Sequence, residues 1–193
     1  MDTLFSHVTV VTMDERMSVW TDAFVGVTDG KISWLAKKAP EEKPAQIIDA
    51  SGMVLMPGLI NCHTHLPMSL LRGYADDLAL QEWLNDYIFP REEHLDARSV
   101  KAATLLGIAE CLRFGVTSFS DMYYFCEAEA EAIAESGIKA NLSRGTSMFL
   151  GDDFDFEKFP ACQELVALHK RWHNYDNGRL KIECSIHAEY TST

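Results

Sequence analysis

The sequence is poor in the features that would make it a secreted, membrane-bound or nucleic-acid-binding protein. Its five cysteines, Cys62, Cys111, Cys126, Cys162 and Cys184, are odd in number, scattered and without any CxxC spacing. That excludes a disulfide framework and a thiolate zinc cluster, and fits a reducing cytoplasm. Basic side chains are few, 17 Lys and Arg against 29 Asp and Glu for a formal charge of -12. Phosphate backbones require clustered positive charge, so no nucleic-acid partner is expected. No segment supplies the roughly 20 consecutive apolar residues of a membrane helix. The start "MDTLFSHVTVVTMDE" lacks the basic-then-apolar order of a signal peptide, so no membrane partner is expected either. What the 193 residues do contain is 47% hydrophobic side chains, enough for one large domain or a domain plus a small lobe.

The apolar residues change texture near residue 57. Residues 1–56 read as short strands, "HVTVVTM" (7–13), "AFVGVTDGKISWLA" (23–36) and "GMVLM" (52–56). Asp29-Gly30 lies between alternating β-formers, the pair that tolerates the positive φ of a tight hairpin turn. A small β lobe is expected over 1–56, with the charged, proline-containing stretch 37–46 as a solvated loop within it, followed by a second region, 57–193. There, strands alternate with helical stretches, the pattern of a parallel sheet with crossover helices. Asp96 can cap a helix over 96–115 whose Val100, Thr104, Gly107, Ile108, Cys111 and Leu112 share a face, with Gly115 closing it. Strand 116–122, helix 127–137, strand 138–145, helix 160–173 and strand 180–188 follow. With the strand before His65, that makes four strands.

"VLMPGLINCHTHL" places His63 and His65 at the end of an apolar run that reads as the buried stem of a strand. Side chains at i and i+2 share one face of a strand, so the two imidazoles project together and can grip one divalent cation. Catalytic groups gather just past the C-terminal ends of barrel strands. Surface or simply hydrogen-bonded histidines are the alternative reading of the same pair.

The string "MPGLINCHTHLPMSLLRGYADDL", followed at later strand ends by "FGVTSFSDMYY", "SRG" and "IHAEYT", resembles the amidohydrolase superfamily, and within it the methylthioadenosine and S-adenosylhomocysteine deaminases. The resemblance implies an α/β fold, a metal-dependent (β/α)8 TIM-like barrel attached to a small β-sandwich. A whole barrel takes roughly 250 residues, whereas this chain stops after its fourth barrel strand. It is expected to be the N-terminal half of such a barrel, 57–193, with part of the sandwich, 1–56. The resemblance also implies one divalent metal, zinc by preference with iron, manganese or nickel open, and gives His63 and His65 as ligands. The remaining ligands and the proton-transferring residues would lie beyond residue 193, so no catalytic residue is assigned here. A homo-oligomer is implied for the full-length enzyme.

Four further residues match substrate-contacting positions of that family: Trp83, Glu92, Arg144 and His187. An indole offers a flat wall, and a carboxylate can accept from both ribose hydroxyls. A guanidinium can clamp a carboxylate tail, and a neutral imidazole can donate or accept toward the base. Each also has a plain structural reading, respectively helix packing, a solvated charge, an ion pair and a strand-end hydrogen bond. The family's second arginine is missing from "TSMFLGDDFDFEKF" (146–159), which favours a substrate without a carboxylate tail, and Glu189 replaces the usual proline after "HA". The expected substrate is an adenosine-like nucleoside. The alternatives are a free base, pterin or triazine, or a non-catalytic half-barrel binding module. Asp121 and Asn61 are minor candidates: Asp121 is expected to cap the next helix or hold a loop rather than to serve as an acceptor behind a ligand histidine, and Asn61 is read as a tie between strands.

Overall fold

The computed structural model describes residues 1–148 and 154–192. The chain divides into two compact units, Met1–Gly58 and Leu59–Thr193. In the first, β1 (Thr3–Val11) pairs antiparallel with β2 (Val19–Thr28), which turns back as β3 (Lys31–Ala36). The turn is at Asp29 and Gly30, with φ of +50° and +69°, the double positive φ that their side chains tolerate. β4 (Gln46–Asp49) and β5 (Val54–Leu55) both join β1 in parallel. The core is Val8, Val10, Ala23, Val25 and Ala50. Residues 46–49 form a strand where a loop and its edge were expected. Only one of its four residues is half-buried, so its stability comes from pairing with β1 rather than from a hydrophobic signal of its own.

The second unit runs β6 (Leu59–Thr64), a 3₁₀ turn Leu66–Leu71, α1 (Leu80–Glu82), a π-helical stretch Trp83–Ile88, α2 (Phe89–Glu92), α3 (Ala97–Arg113), β7 (Val116–Tyr123), α4 (Cys126–Ser136), β8 (Lys139–Thr146), α5 (Pro160–Trp172), α6 (Tyr175–Gly178) and β9 (Leu180–Ile186). The four strands lie side by side in chain order, β6-β7-β8-β9, all parallel. Parallel neighbours need a crossover, and α3, α4 and α5 supply it. Phe119, Leu142, Leu180 and Ile182 present one face of the sheet to Ile108, Ile133, Leu165, Leu168 and Trp172 of those helices. Each such fully buried side chain contributes about 1.5–3 kcal/mol of transfer free energy. α3 starts at a capping box in which Asp96 Oδ1 accepts from Ser99 N (2.7 Å) and Ser99 Oγ accepts from Asp96 N (2.9 Å). It ends before Gly115, whose φ is +80°.

Two expectations are corrected. "VLMPGLIN" is not one buried stem: Val54–Leu55 belongs to the first sheet, and in β6 Leu59 and Ile60 are 52% and 68% exposed. Among the described residues β6 has a strand neighbour on one side only. Leu112 is exposed as well, outside the buried stripe of Val100, Ala103, Thr104, Gly107 and Ile108. No helix among the described residues is long and apolar enough to cross a membrane.

Candidate functional site

The C-terminal ends of the parallel strands bring the sequence candidates together. His65, Trp83, Glu92, Arg144 and His187 all line one cavity, joined by Tyr123, Met68 and Tyr190. His63 is outside that lining but stands edge-on against His65, with ring centroids 5.0 Å apart and planes at 80°. His65 sits one residue past β6. Its Nδ1 lies 2.6 Å from the Met122 carbonyl oxygen, which can only accept, so Nδ1 carries the proton and the Nε2 lone pair is left free. Burial pushes the His65 pKa below its ordinary value against the opposing pull of the Met122 hydrogen bond, and the nearby His63 adds to the lowering, so the ring is neutral near pH 7. A neutral imidazole with a free Nε2, oriented through Nδ1 by a carbonyl, has the chemistry of a divalent-cation ligand. Among the described residues no cluster of three His, Cys, Asp or Glu side chains accompanies it; the donor set fits a metal as two imidazoles of a larger shell.

Glu92, at the end of α2, accepts a 2.6 Å hydrogen bond from the Tyr123 hydroxyl. Burial raises its pKa while that bond lowers it. Among the described residues its other oxygen has no hydrogen-bond partner. Arg144, on β8, is already engaged: Nε donates to Glu164 (2.7 Å), Nη1 to the Gly145 carbonyl (2.6 Å), and the guanidinium lies 4.7 Å over the Tyr124 ring. His187, just past β9, has Nδ1 2.7 Å from Thr191 Oγ1, while that hydroxyl donates to the Ala188 carbonyl at 3.2 Å. Its hydrogen spent, the hydroxyl accepts from Nδ1–H, and Nε2 of His187 becomes an acceptor. The His65 and His187 rings are 6.4 Å apart. Among the described residues the Asn61 side chain makes no hydrogen bond to another strand: its Oδ1 accepts from His63 N (3.3 Å) within β6. Of the loop 146–159, residues 149–153 lie outside the described residues.

Sequence reasoning missed Tyr123, Glu164 and Glu129. Glu129 left a readable signal: with Cys126, Ala130 and Ile133 it falls on the i, i+3, i+4, i+7 stripe that is the buried face of α4. Tyr123 and Glu164 gave none, since their roles depend on contacts 31 and 20 residues away.

The profile of the Amidohydrolase family matches residues 54–193. The chain is 39% identical over 193 residues to the 5-methylthioadenosine/S-adenosylhomocysteine deaminase of Acetivibrio thermocellus, covering 98% of this chain and 44% of that protein. It is 38% identical to the 5'-deoxyadenosine deaminase of Methanosarcina mazei, over 98% of this chain and 43% of the relative. Among solved structures, an adenosine deaminase from Xanthomonas campestris with bound zinc superposes with TM-score 0.85 at 32% identity, over 98% of this chain and 44% of the other. The atrazine chlorohydrolase of Arthrobacter aurescens, complexed with zinc, shares the fold with TM-score 0.86 at 21% identity. The chain thus spans less than half the length of these relatives.

Proposed function

The chain belongs to the amidohydrolase family, and from that premise we propose that it supplies the first half of the barrel of a metal-dependent deaminase that removes the amino group of an adenosine-like nucleoside. The observation that carries the reading is the meeting of His65, Trp83, Glu92 and His187 at one cavity, beside His63. His63 and His65 would hold the divalent cation, zinc by preference. When bound, the cation supplies a water whose pKa is lowered towards about 7, a nucleophile at neutral pH. His65 contributes the Nε2 lone pair, fixed in that tautomer by the Met122 carbonyl. Glu92 uses its free oxygen to accept from the ribose hydroxyls, with the Tyr123 hydroxyl holding the other oxygen in place. Trp83 forms the apolar wall, and His187 presents Nε2 as an acceptor to the exocyclic amino group. Because Glu164 already pairs with Arg144, an uncharged 5' group, as in methylthioadenosine or 5'-deoxyadenosine, suits the site better than the carboxylate tail of S-adenosylhomocysteine. The five cysteines are free thiols, in keeping with a cytoplasmic protein, and the partner is a small molecule.

Two imidazoles leave most of a metal shell to water, so the 193 residues alone are expected to bind metal weakly and show no turnover. In the full-length enzyme, ammonia release from 5'-methylthioadenosine and 5'-deoxyadenosine tests the reading. Glu92→Gln should raise KM for these nucleosides about tenfold, the loss of roughly 1.4 kcal/mol from a charge-assisted hydrogen bond. Unchanged nucleoside kinetics in that variant, with adenine processed equally well, would replace ribose recognition by the free-base reading.

A further inference from the structure

We infer that Asp121, with the buried Glu129 behind it, is a positioning residue for His65: it holds the segment that follows the two histidines, just beyond the end of the sheet ladder. The inference rests on the proposed metal role of His65. The pairing of β6 with β7 is irregular between Asn61 and Thr64, and its last pair is Thr64 with Asp121, so the ladder ends before His65 and Leu66. Asp121 holds what lies beyond. Its Oδ2 accepts from Leu66 N at 2.9 Å, the residue after His65, and its Oδ1 accepts from Met122 N at 2.7 Å. The Met122 carbonyl in turn accepts from His65 Nδ1 at 2.6 Å. Three contacts thus close a loop from the Asp121 carboxyl around to the imidazole, setting both its tautomer and its rotation. Asp121 is 1% exposed, so this loop is out of competition with water.

Glu129 explains how a buried carboxylate survives there. It reaches the layer between α4 and the sheet, is wholly buried, and neither carboxyl oxygen has a hydrogen-bond partner among the described residues. An anion so placed would cost several kcal/mol, so Glu129 is the neutral acid, and the negative charge the pair carries is on Asp121, where two amides receive it. Burial pushes Asp121 up to about 7 while those amides pull it down. Burial pushes Glu129 well above the carboxylate range, and the Asp121 charge adds to that.

The 193-residue chain, labelled with ¹⁵N and ¹³C, tests this without any turnover. The wild-type chain should show His65 protonated on Nδ1, a slowly exchanging Leu66 amide and a protonated Glu129 carboxyl near neutral pH. Asp121→Asn should speed Leu66 exchange at least about tenfold, mix the His65 tautomers and weaken zinc binding about 10- to 100-fold. Glu129→Gln, neutral for neutral, should leave the tautomer and the zinc affinity within about twofold. The inference is overturned by an unchanged tautomer and zinc affinity in Asp121→Asn, or by an ionised Glu129 in the wild-type chain. If Asp121→Asn does not fold, Leu66 exchange and the Glu129 carboxyl signal of the wild-type chain decide alone. A failure to deaminate nucleosides would remove the substrate reading and leave these measurements standing.

Discussion

Gly107→Ala is a sharp probe of the second unit, because two opposing effects of known size meet at one atom. Gly107 lies in the middle of α3, where alanine ordinarily gains about 1 kcal/mol of helix propensity. A Cβ there would lie 2.8 Å from Leu66 Cδ2 and 3.2 Å from Leu66 Cβ, closer than side chains pack. Leu66 cannot simply swing away: it is 7% exposed in the core, and its amide is held by Asp121. Overpacking of this kind costs about 1–3 kcal/mol, so the net expectation is a loss of about 1 kcal/mol in urea unfolding of the chain, with the unfolding slope unchanged. Deleting the opposing side chain should reverse the sign. In a Leu66→Ala background Gly107→Ala should stabilise, giving a coupling of about 1–2 kcal/mol in the double-mutant cycle. Stabilisation by Gly107→Ala in the wild-type background, or a coupling near zero, would refute the claim that this glycine exists to let α3 close on the turn after His65.

Other expectations follow from the same packing and protonation. Leu142→Ala, at a fully buried position on β8, should cost about 2–5 kcal/mol in the same assay, a large share of the roughly 5–15 kcal/mol that holds a domain together. Asp96→Ala should lower the urea midpoint by removing the acceptor for Ser99 N, and Asp96→Asn should recover most of the loss, since the amide oxygen can still cap α3. Asp121 and Glu129 have folded-state pKa values above their unfolded ones, so their contribution to stability is full below the unfolded pKa and is lost as pH rises, for Asp121 between the ordinary 3.8 and about 7. His65 and His187, with lowered pKa values, favour the fold above 6.5 and lose that contribution below it. The two pairs oppose one another between about pH 4.5 and about pH 7.5, so the informative quantity is the wild-type urea midpoint minus that of Glu129→Gln, which should fall as pH rises across that range; a difference that rises would contradict the buried-acid assignment.

What could be read from the sequence was what neighbours in the chain decide. Asp29-Gly30 marks its hairpin because two positive φ angles are a property of those two residues. Asp96 and Gly115 bracket α3 because capping reaches only three or four residues. The approach of His63 to His65 is likewise local, two residues apart at the end of β6. The parts that were misread or missed are non-local. β4 is a strand only because β1 accepts it across 43 residues of chain, Thr3 to Gln46. Leu59 and Ile60 look like core residues by composition, but exposure depends on whether another strand covers them. Glu129 shows that such failures are not uniform. Its helical stripe was visible, but an acidic residue in "EAEAEAIAES" is read as solvated, because the layer that encloses Glu129 is built by residues distant in the chain. The same logic applies at the candidate site: residue types at strand ends were legible, whereas their states, Nδ1–H on His65, an acceptor Nε2 on His187, and an Arg144 already paired, are set by Met122, Thr191 and Glu164. Chemistry at this site therefore depends less on the identities of the histidines than on what holds their other nitrogen, which makes the carbonyl and carboxyl partners the informative positions to change.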